Sequence, residues 1–232
     1  MTKPAISITF PCYNEEANVA RMIEASLRVL QRVASPYEVI VSNDGSRDQT
    51  QAIAERYAAQ YPDIVRVINQ SPNRGYGHAL KAGLQSARYE WVFFTDGDCQ
   101  FDLEEIDQLL PYLSDHDIVT GYRKVRRDPF HRRMNSRGWN FLARVVLGVR
   151  VRDINCAFRF YRKTLLDAMT ILADGAMINA EMYARANALH ARIKEVPVTH
   201  YPRTAGAQTG ANPRVILKAF RELFALRKSL RQ

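Results

Sequence analysis

Asp96, Asp98 and Gln100 stand two apart directly after the apolar run Trp91-Val92-Phe93-Phe94-Thr95. In an extended segment, side chains two apart point the same way, so three oxygen donors would converge while Gly97 and Cys99 face elsewhere. Such a set suits a hard divalent ion. Mg²⁺ or Mn²⁺ takes roughly six oxygens, and three protein ligands leave positions for water and for phosphate oxygens of a substrate. A lone Asp-x-Asp is also a common acidic turn, so the rest of the chain must decide. Asp44, in Asn43-Asp44-Gly45, invites a similar choice. It is placed either to read a base or ribose at a sheet edge or to bond its own turn. A third group is cationic: Arg123, Lys124, Arg126, Arg127, Arg132, Arg133 and Arg137 fall within residues 123–137. Guanidinium grips phosphate through two parallel hydrogen bonds, whereas the plainer reading of a charge run is a solvated face.

The elements that must position these groups alternate. Ala5 to Phe10 reads as a strand, and Val19, Met22, Ile23, Leu27 and Leu30 share one face of a helix. Tyr37 to Ser42 reads as a second strand, with Ile53, Ala54, Tyr57 and Ala58 marking the next helix. Val65 to Ile68 is a third strand, and the loop from Ser71 to Gly77 leads into a helix through Ala87. Trp91 to Thr95 is the fourth. Strand and helix in turn, with short connections, predict an α/β fold with a mostly parallel sheet and right-handed crossovers. Each strand closes on polar or glycine-rich residues, which puts the site at the carboxyl edge. Further on, Leu103 to Leu113 reads as a helix, Ile118 to Gly121 as a strand and Trp139 to Leu147 as an apolar helix. Ile154 to Phe160 is strand-like, Glu181 falls in a helical region, Ile193 to Val198 is the last strand, and His200 to Gly206 is a loop. Arg214 to Leu230 reads as a basic amphipathic helix.

The 232 residues are 47% hydrophobic, enough for one good core and against disorder. No apolar run is long enough to cross a membrane and no signal-peptide core follows Met1, so a cytoplasmic protein is expected. Cys12, Cys99 and Cys156 are an odd number without metal-type spacing, which predicts reduced thiols and no disulfide. The formal charge of +9 favours an anionic partner without choosing among nucleic acid, membrane and phosphorylated substrates. No G-x-G-x-x-G follows the first strand and no G-x-x-x-x-G-K-[ST] occurs, which argues against dinucleotide and P-loop sites.

Four segments in order resemble the family 2 inverting glycosyltransferases of GT-A fold: Pro11-x-Tyr13-Asn14-Glu15, Asn43-Asp44-Gly45-Ser46-x-Asp48, Asn73-x-Gly75-x-Gly77-x-Ala79 and Asp96-x-Asp98-x-Gln100. Within that family the chain is similar to the dolichol-phosphate mannose synthase branch, which makes polyprenyl-phosphate sugars. The resemblance spans residues 5 to about 210 and implies a catalytic domain over 1–210. Its nucleotide-sugar half would be 1–121 and its acceptor half 122–210, with the amphipathic helix at 211–232. It also implies site residues. Pro11, Tyr13, Glu15, Asp44 and Lys81 would hold the nucleotide, and Asp96, Asp98 and Gln100 the Mg²⁺ or Mn²⁺ that bridges the diphosphate. Arg123, in Gly121-Tyr122-Arg123, matches a Gly-x-Arg pattern near the donor phosphates. Arg132 and Ser136 match an Arg-x-x-x-Ser grip on the acceptor phosphate, joined by Arg203 from an Arg-x-x-Gly loop. Asp153 opens Asp-Ile-Asn-Cys-Ala-Phe-Arg, similar to an Asp-x-x-x-Gly-Phe-Arg segment of the branch, with Ala157 in place of its Gly.

The implied activity moves a hexose from a donor such as GDP-mannose or UDP-glucose to polyprenyl phosphate, with Asp98, Arg132 and Arg203 central. A phosphate monoester is largely a dianion at neutral pH and needs guanidinium rather than a base. A hydroxyl acceptor would instead need a carboxylate to take its proton. Asp153 and Glu181 are the candidates for that, and each is equally suited to pairing with a neighbouring Arg; His200 reads as a loop residue. Many members of the branch carry transmembrane helices after the catalytic domain. The resemblance and the terminal helix together predict peripheral attachment to an anionic membrane on its cytoplasmic face. Packing of its apolar stripe on the domain or on a second subunit is the alternative. A polyanion-binding protein with an inert sheet edge is the rival from another class, and the ordered acidic motifs speak against it and against a nucleic-acid partner.

Overall fold

The computed structural model describes residues 3–124, 138, 142–175, 177–203, 223, 226 and 227. Seven strands form one sheet: β1 (Ile6–Cys12), β2 (Tyr37–Asn43), β3 (Val65–Asn69), β4 (Trp91–Thr95), β5 (Ile118–Arg123), β6 (Phe158–Arg162) and β7 (Ile193–Val198), in the order β3-β2-β1-β4-β6-β5-β7. The first four run parallel, β5 and β7 run parallel to each other, and β6 runs antiparallel between β4 and β5. Helices α1 (Val19–Val33), α2 (Thr50–Gln60) and α3 (Tyr76–Ser86) make the crossovers of the first half; α4 (Lys163–Ala168) and α5 (Ile178–Ala188) belong to the second.

Burial explains the elements. All five residues of β4 are buried, as a central strand covered on both faces requires. Val19, Met22, Ile23, Leu27 and Leu30 are the buried stripe of α1. Antiparallel pairing brings Phe93 against Phe158 and Phe160, with ring centroids 4.8 and 4.7 Å apart, and this aromatic layer joins the two halves of the sheet. The three cysteines are free.

Two expected elements differ. The stretch from Leu103 to Leu113 is two 3₁₀ turns, Leu103–Gln108 and Leu110–Tyr112, rather than an α-helix. Bonds close three residues back, as from Leu109 N–H to the Ile106 carbonyl, and Pro111, which lacks an N–H, cannot make the α-helical bond to the Asp107 carbonyl. Strand β6 begins only at Phe158, because the chain turns at 153–156, where Cys156 N–H donates to the Asp153 carbonyl. Of the apolar helix predicted for Trp139 to Leu147, residues 142–147 are helical. The expected terminal helix lies mostly outside the described residues; Leu223 and Leu226 are helical and buried and Arg227 is helical and exposed. Among the described residues no helix is long and apolar enough to cross a membrane.

Candidate active site

The carboxyl ends of β1, β2 and β4 meet along one edge, and their loops are laced together. Asn14, held at φ +54, donates its N–H to the Ser46 hydroxyl at 3.0 Å, and its Oδ1 accepts from Arg47 N–H at 2.8 Å. Glu16 N–H donates to Asp48 and Gln49 N–H to Glu16. Glu15 N–H donates to the Thr50 hydroxyl at 2.8 Å, and the Glu15 carbonyl caps the start of α1 by accepting from Asn18 and Val19. Pro11 ends this arrangement in β1, and Tyr13 stands out from it exposed.

Asp44 is buried, and it does not bond its own turn. Its two carboxylate oxygens accept from Arg74 N–H at 2.9 Å and Gly75 N–H at 2.8 Å, while Asn73 donates to its carbonyl. The acid at the end of β2 thus orders the loop that opens α3. Gly45 and Gly77 are needed for that fit: a Cβ on Gly45 would stand 2.9 Å from Asn73 N, and one on Gly77 2.5 Å from the Asp174 carbonyl carbon. Asp174 in turn accepts from Lys81 Nζ at 2.7 Å, so Lys81 is tied to the 170–175 loop.

Asp96 and Asp98 come together as expected, by a different route. The chain turns after Thr95 instead of staying extended, with Cys99 at φ +57 and Asp98 Oδ1 accepting from Gln100 N–H at 3.2 Å. That turn directs the Gln100 amide away, and its Nε2 donates to the Tyr201 carbonyl at 2.8 Å. Gly97 faces the end of β1, where a Cβ would lie 2.8 Å from the Pro11 carbonyl oxygen. Burial and the neighbouring Asp98 push the Asp96 carboxyl up to about 7, although Tyr76, Arg159 and Arg123 pull the other way. Burial raises Asp98 as well, against the Gln100 N–H and the Arg203 charge. Two enclosed carboxylates that resist sharing their negative charge are short of a cation. Two carboxylates side by side can serve as oxygen ligands of a divalent ion, although among the described residues no group of three acids, histidines or cysteines could hold one.

Arg203 reaches this edge from the loop after β7. It pairs with Glu15, and its Nη1 lies 3.8 Å from Asp98. Arg123 clamps Asp153 through two hydrogen bonds of 2.7 and 2.9 Å. Glu181 accepts from Leu172 N–H at 3.0 Å, from Ala173 N–H at 2.6 Å and from Arg185 Nε at 2.7 Å. Neither acid is presented as a lone base. His200 packs edge-on against Phe101, 5.0 Å between ring centroids. Arg132 and Ser136 lie outside the described residues.

Three residues that sequence patterns did not single out stand behind Asp96. The Tyr76 hydroxyl donates to Asp96 Oδ1 at 3.0 Å and interacts with Asn179, whose Oδ1 accepts from Arg159 Nη2 at 3.1 Å. Arg159 closes the Asp153-to-Arg159 segment, so its position was legible but its burial was not.

The chain is 31% identical over 218 residues to the undecaprenyl-phosphate 4-deoxy-4-formamido-L-arabinose transferase of Pseudomonas fluorescens, covering 93% of this chain and 62% of that protein. It is 28% identical over 232 residues to the dodecaprenyl-phosphate galacturonate synthase of Rhizobium johnstonii, covering 97% and 68%. The chain therefore spans about two thirds of the length of these curated relatives. Among solved structures, glucosyl-3-phosphoglycerate synthase of Mycobacterium tuberculosis in complex with UDP superposes with a TM-score of 0.71 at 20% identity, over 98% of this chain and 80% of that one. The expected α/β sheet is thus the GT-A sheet. Residues 7–170 match the family described as glycosyl transferase family 2. The chain belongs to glycosyl transferase family 2, and the glycosyltransferase class expected from its sequence is the class of its family.

Proposed function

We propose that the chain transfers a hexose from a nucleotide diphosphate sugar to a polyprenyl phosphate, with inversion at the anomeric carbon. The nucleotide lies along the loops at Pro11–Glu15 and Asp44, and GDP-mannose and UDP-glucose are the donor types to try first. Asp96 and Asp98 would hold a Mg²⁺ or Mn²⁺ against the diphosphate. That ion supplies charge neutralisation to the leaving group. A phosphate oxygen of the acceptor attacks the anomeric carbon, the bond to the diphosphate oxygen breaks, and its electron pair leaves with the nucleotide. No proton has to be removed, because the acceptor phosphate is already ionised. Arg203 adds a fixed positive charge beside Asp98, where the two sets of phosphates would meet. Arg123 is held by Asp153 near the donor side, and Arg132 and Ser136 complete the acceptor grip in this reading.

The observation that carries the acceptor class is the state of the two acids. Asp153 is clamped by Arg123 and Glu181 is surrounded by donors, which disfavours a hydroxyl acceptor served by either. Relatives named for undecaprenyl and dodecaprenyl phosphate support the same choice. The substrate would place the protein on the cytoplasmic face of a membrane, attached peripherally to its anionic surface.

Release of nucleotide from a panel of GDP- and UDP-sugars, with Mn²⁺ or EDTA and with or without a short polyprenyl phosphate, tests the reading. Release that needs both ion and lipid phosphate is expected, and Asp98→Asn should lower it by at least about a hundredfold while nucleotide still binds. Release that needs the ion but not the lipid phosphate would turn the search to hydroxyl acceptors. Steeply salt-dependent binding to polyanions, indifferent to nucleotide and to Asp98→Asn, would favour the binding-protein rival.

A further inference from the structure

The Arg159 guanidinium is shut off from solvent, with no exposed surface, opposite Phe94 in the pairing of β4 with β6. Its hydrogen-bond partners are neutral: Nη1 donates to the Tyr161 hydroxyl at 3.1 Å, and Nη2 to the Ile154 carbonyl at 3.2 Å and Asn179 Oδ1 at 3.1 Å. Nε has no hydrogen-bond partner. The rings of Tyr183 and Phe94 lie 5.0 and 5.4 Å from the guanidinium carbon. A charge in such a place is expensive, and an apolar side chain of similar volume generally packs there at less cost. Packing alone does not account for an arginine.

What arginine adds is a direction. It can only donate hydrogen bonds. Asn179 must therefore offer it the carbonyl oxygen, which leaves the NH₂ of that amide free to turn toward the neighbouring Tyr76 hydroxyl. A tyrosine oxygen that accepts there passes its own proton onward, and Tyr76 donates to Asp96 Oδ1 at 3.0 Å. Every link points the same way, from the buried cation to the carboxylate, and each polarises the next.

We infer that Arg159 is a positioning residue for the donor site, holding the Asp96 carboxylate in one orientation through Asn179 and Tyr76. The inference rests on the role proposed for Asp96 at the diphosphate. Arg159 touches no reacting atom. It commits Asp96 Oδ1 to the tyrosine and leaves the other carboxylate oxygen to the ligand. A purely structural arginine, tying the 153–157 turn to β6 through Ile154 and Tyr161, would affect stability alone.

The test is calorimetric binding of UDP and GDP with and without Mn²⁺ to the full chain, in the wild type, Tyr76→Phe, Arg159→Lys and the double variant, with thermal midpoints recorded alongside. Tyr76 is 37% exposed and Tyr76→Phe deletes one hydroxyl, so it tests the chain with little risk to folding. Tyr76→Phe should weaken Mn²⁺-dependent nucleotide binding by about tenfold, a usual loss for a group behind a metal ligand, with its midpoint close to wild type. Arg159→Lys should weaken it comparably, and the double variant should be no weaker than the worse single one, because both act through one chain. Wild-type binding by Tyr76→Phe, or losses that multiply in the double variant, would overturn the inference alone. Wild-type nucleotide binding that ignores Mn²⁺ would overturn the role of Asp96 and the inference with it. If Arg159→Lys does not fold, Asn179→Asp keeps an acceptor for Arg159 and removes the NH₂ donor, and the same cycle with Tyr76→Phe decides the matter.

Discussion

Glu181 accepts from two backbone N–H groups and from Arg185 while 1% exposed, so its lone pairs are occupied before any substrate arrives. Glu181→Gln should lower stability by about 2–3 kcal/mol, the usual penalty for unpairing buried partners. Turnover per folded molecule should stay within about threefold of wild type, against a loss of about a hundredfold or more for a general base. Chemical denaturation and steady-state kinetics on one preparation separate the two outcomes. The same comparison shows what residue types and spacing reveal. A strand that ends in two acids is ambiguous alone, and Asp96 and Asp98 stand out as candidates only beside the other ordered motifs. Lys81 was not legible in its partner, because Asp174 lies 93 positions away and only the packing of the 170–175 loop on α3 brings them together. Gln100 was read through an ideal strand geometry that the turn at 96–99 does not keep. Arg159 looks like an ordinary polar residue in a strand until the tertiary structure buries it.

The elements at the carboxyl edge depend on short polar locks between loops. Asp48 accepts from Glu16 N–H and from the N–H and hydroxyl of Thr50, which fastens the β1 loop to the start of α2. Burial tends to raise its carboxyl, but these hydrogen bonds outweigh it and hold the group below the ordinary carboxylate value. A carboxyl depressed in the folded state stabilises it above the unfolded value, and the contribution fades as pH falls through the folded one. Asp48→Ala should therefore cost about 1 kcal/mol near neutrality, and the difference from wild type should shrink below about pH 4. Denaturation midpoints measured across that range check the sign. Hydrophobic patterning placed the first four strands within two residues and picked out the buried face of α1, whereas α2 buries only Thr50 and Ala54. It failed at Leu103–Tyr112, where Pro111 interrupts a pattern that is otherwise helical, and at 154–157, where apolar residues pack in a turn. Periodicity reports which residues are buried; backbone hydrogen bonding decides how.

For the molecule as a whole, the excess of Lys and Arg and the proposed lipid acceptor predict attachment to anionic surfaces. Leu223 and Leu226 are buried, so at those positions the apolar stripe of the expected terminal helix packs inward. Attachment should then be electrostatic: sedimentation with anionic vesicles at low salt, lost when the ionic strength reaches a few tenths molar and the Debye length falls below about 8 Å. Sedimentation that survives high salt would instead indicate apolar insertion. The position of β6 has a consequence for how the protein is made. One edge of β4 is covered by β1, but the other waits for Phe158–Arg162, and β5, synthesised earlier, has only β6 and β7 as neighbours. On the ribosome the first four strands can close into a parallel half-sheet while Trp91–Thr95 keeps one bare edge of unpaired N–H and C=O groups between mostly apolar side chains. A nascent chain stalled before Phe158 should be open to protease and to pairing with other chains, and one extended well past Val198 should be resistant to both. The strand that delivers the two acids is thus the one the cell must shield longest, and a delay in translating the stretch from Arg123 to Arg162 prolongs its exposure.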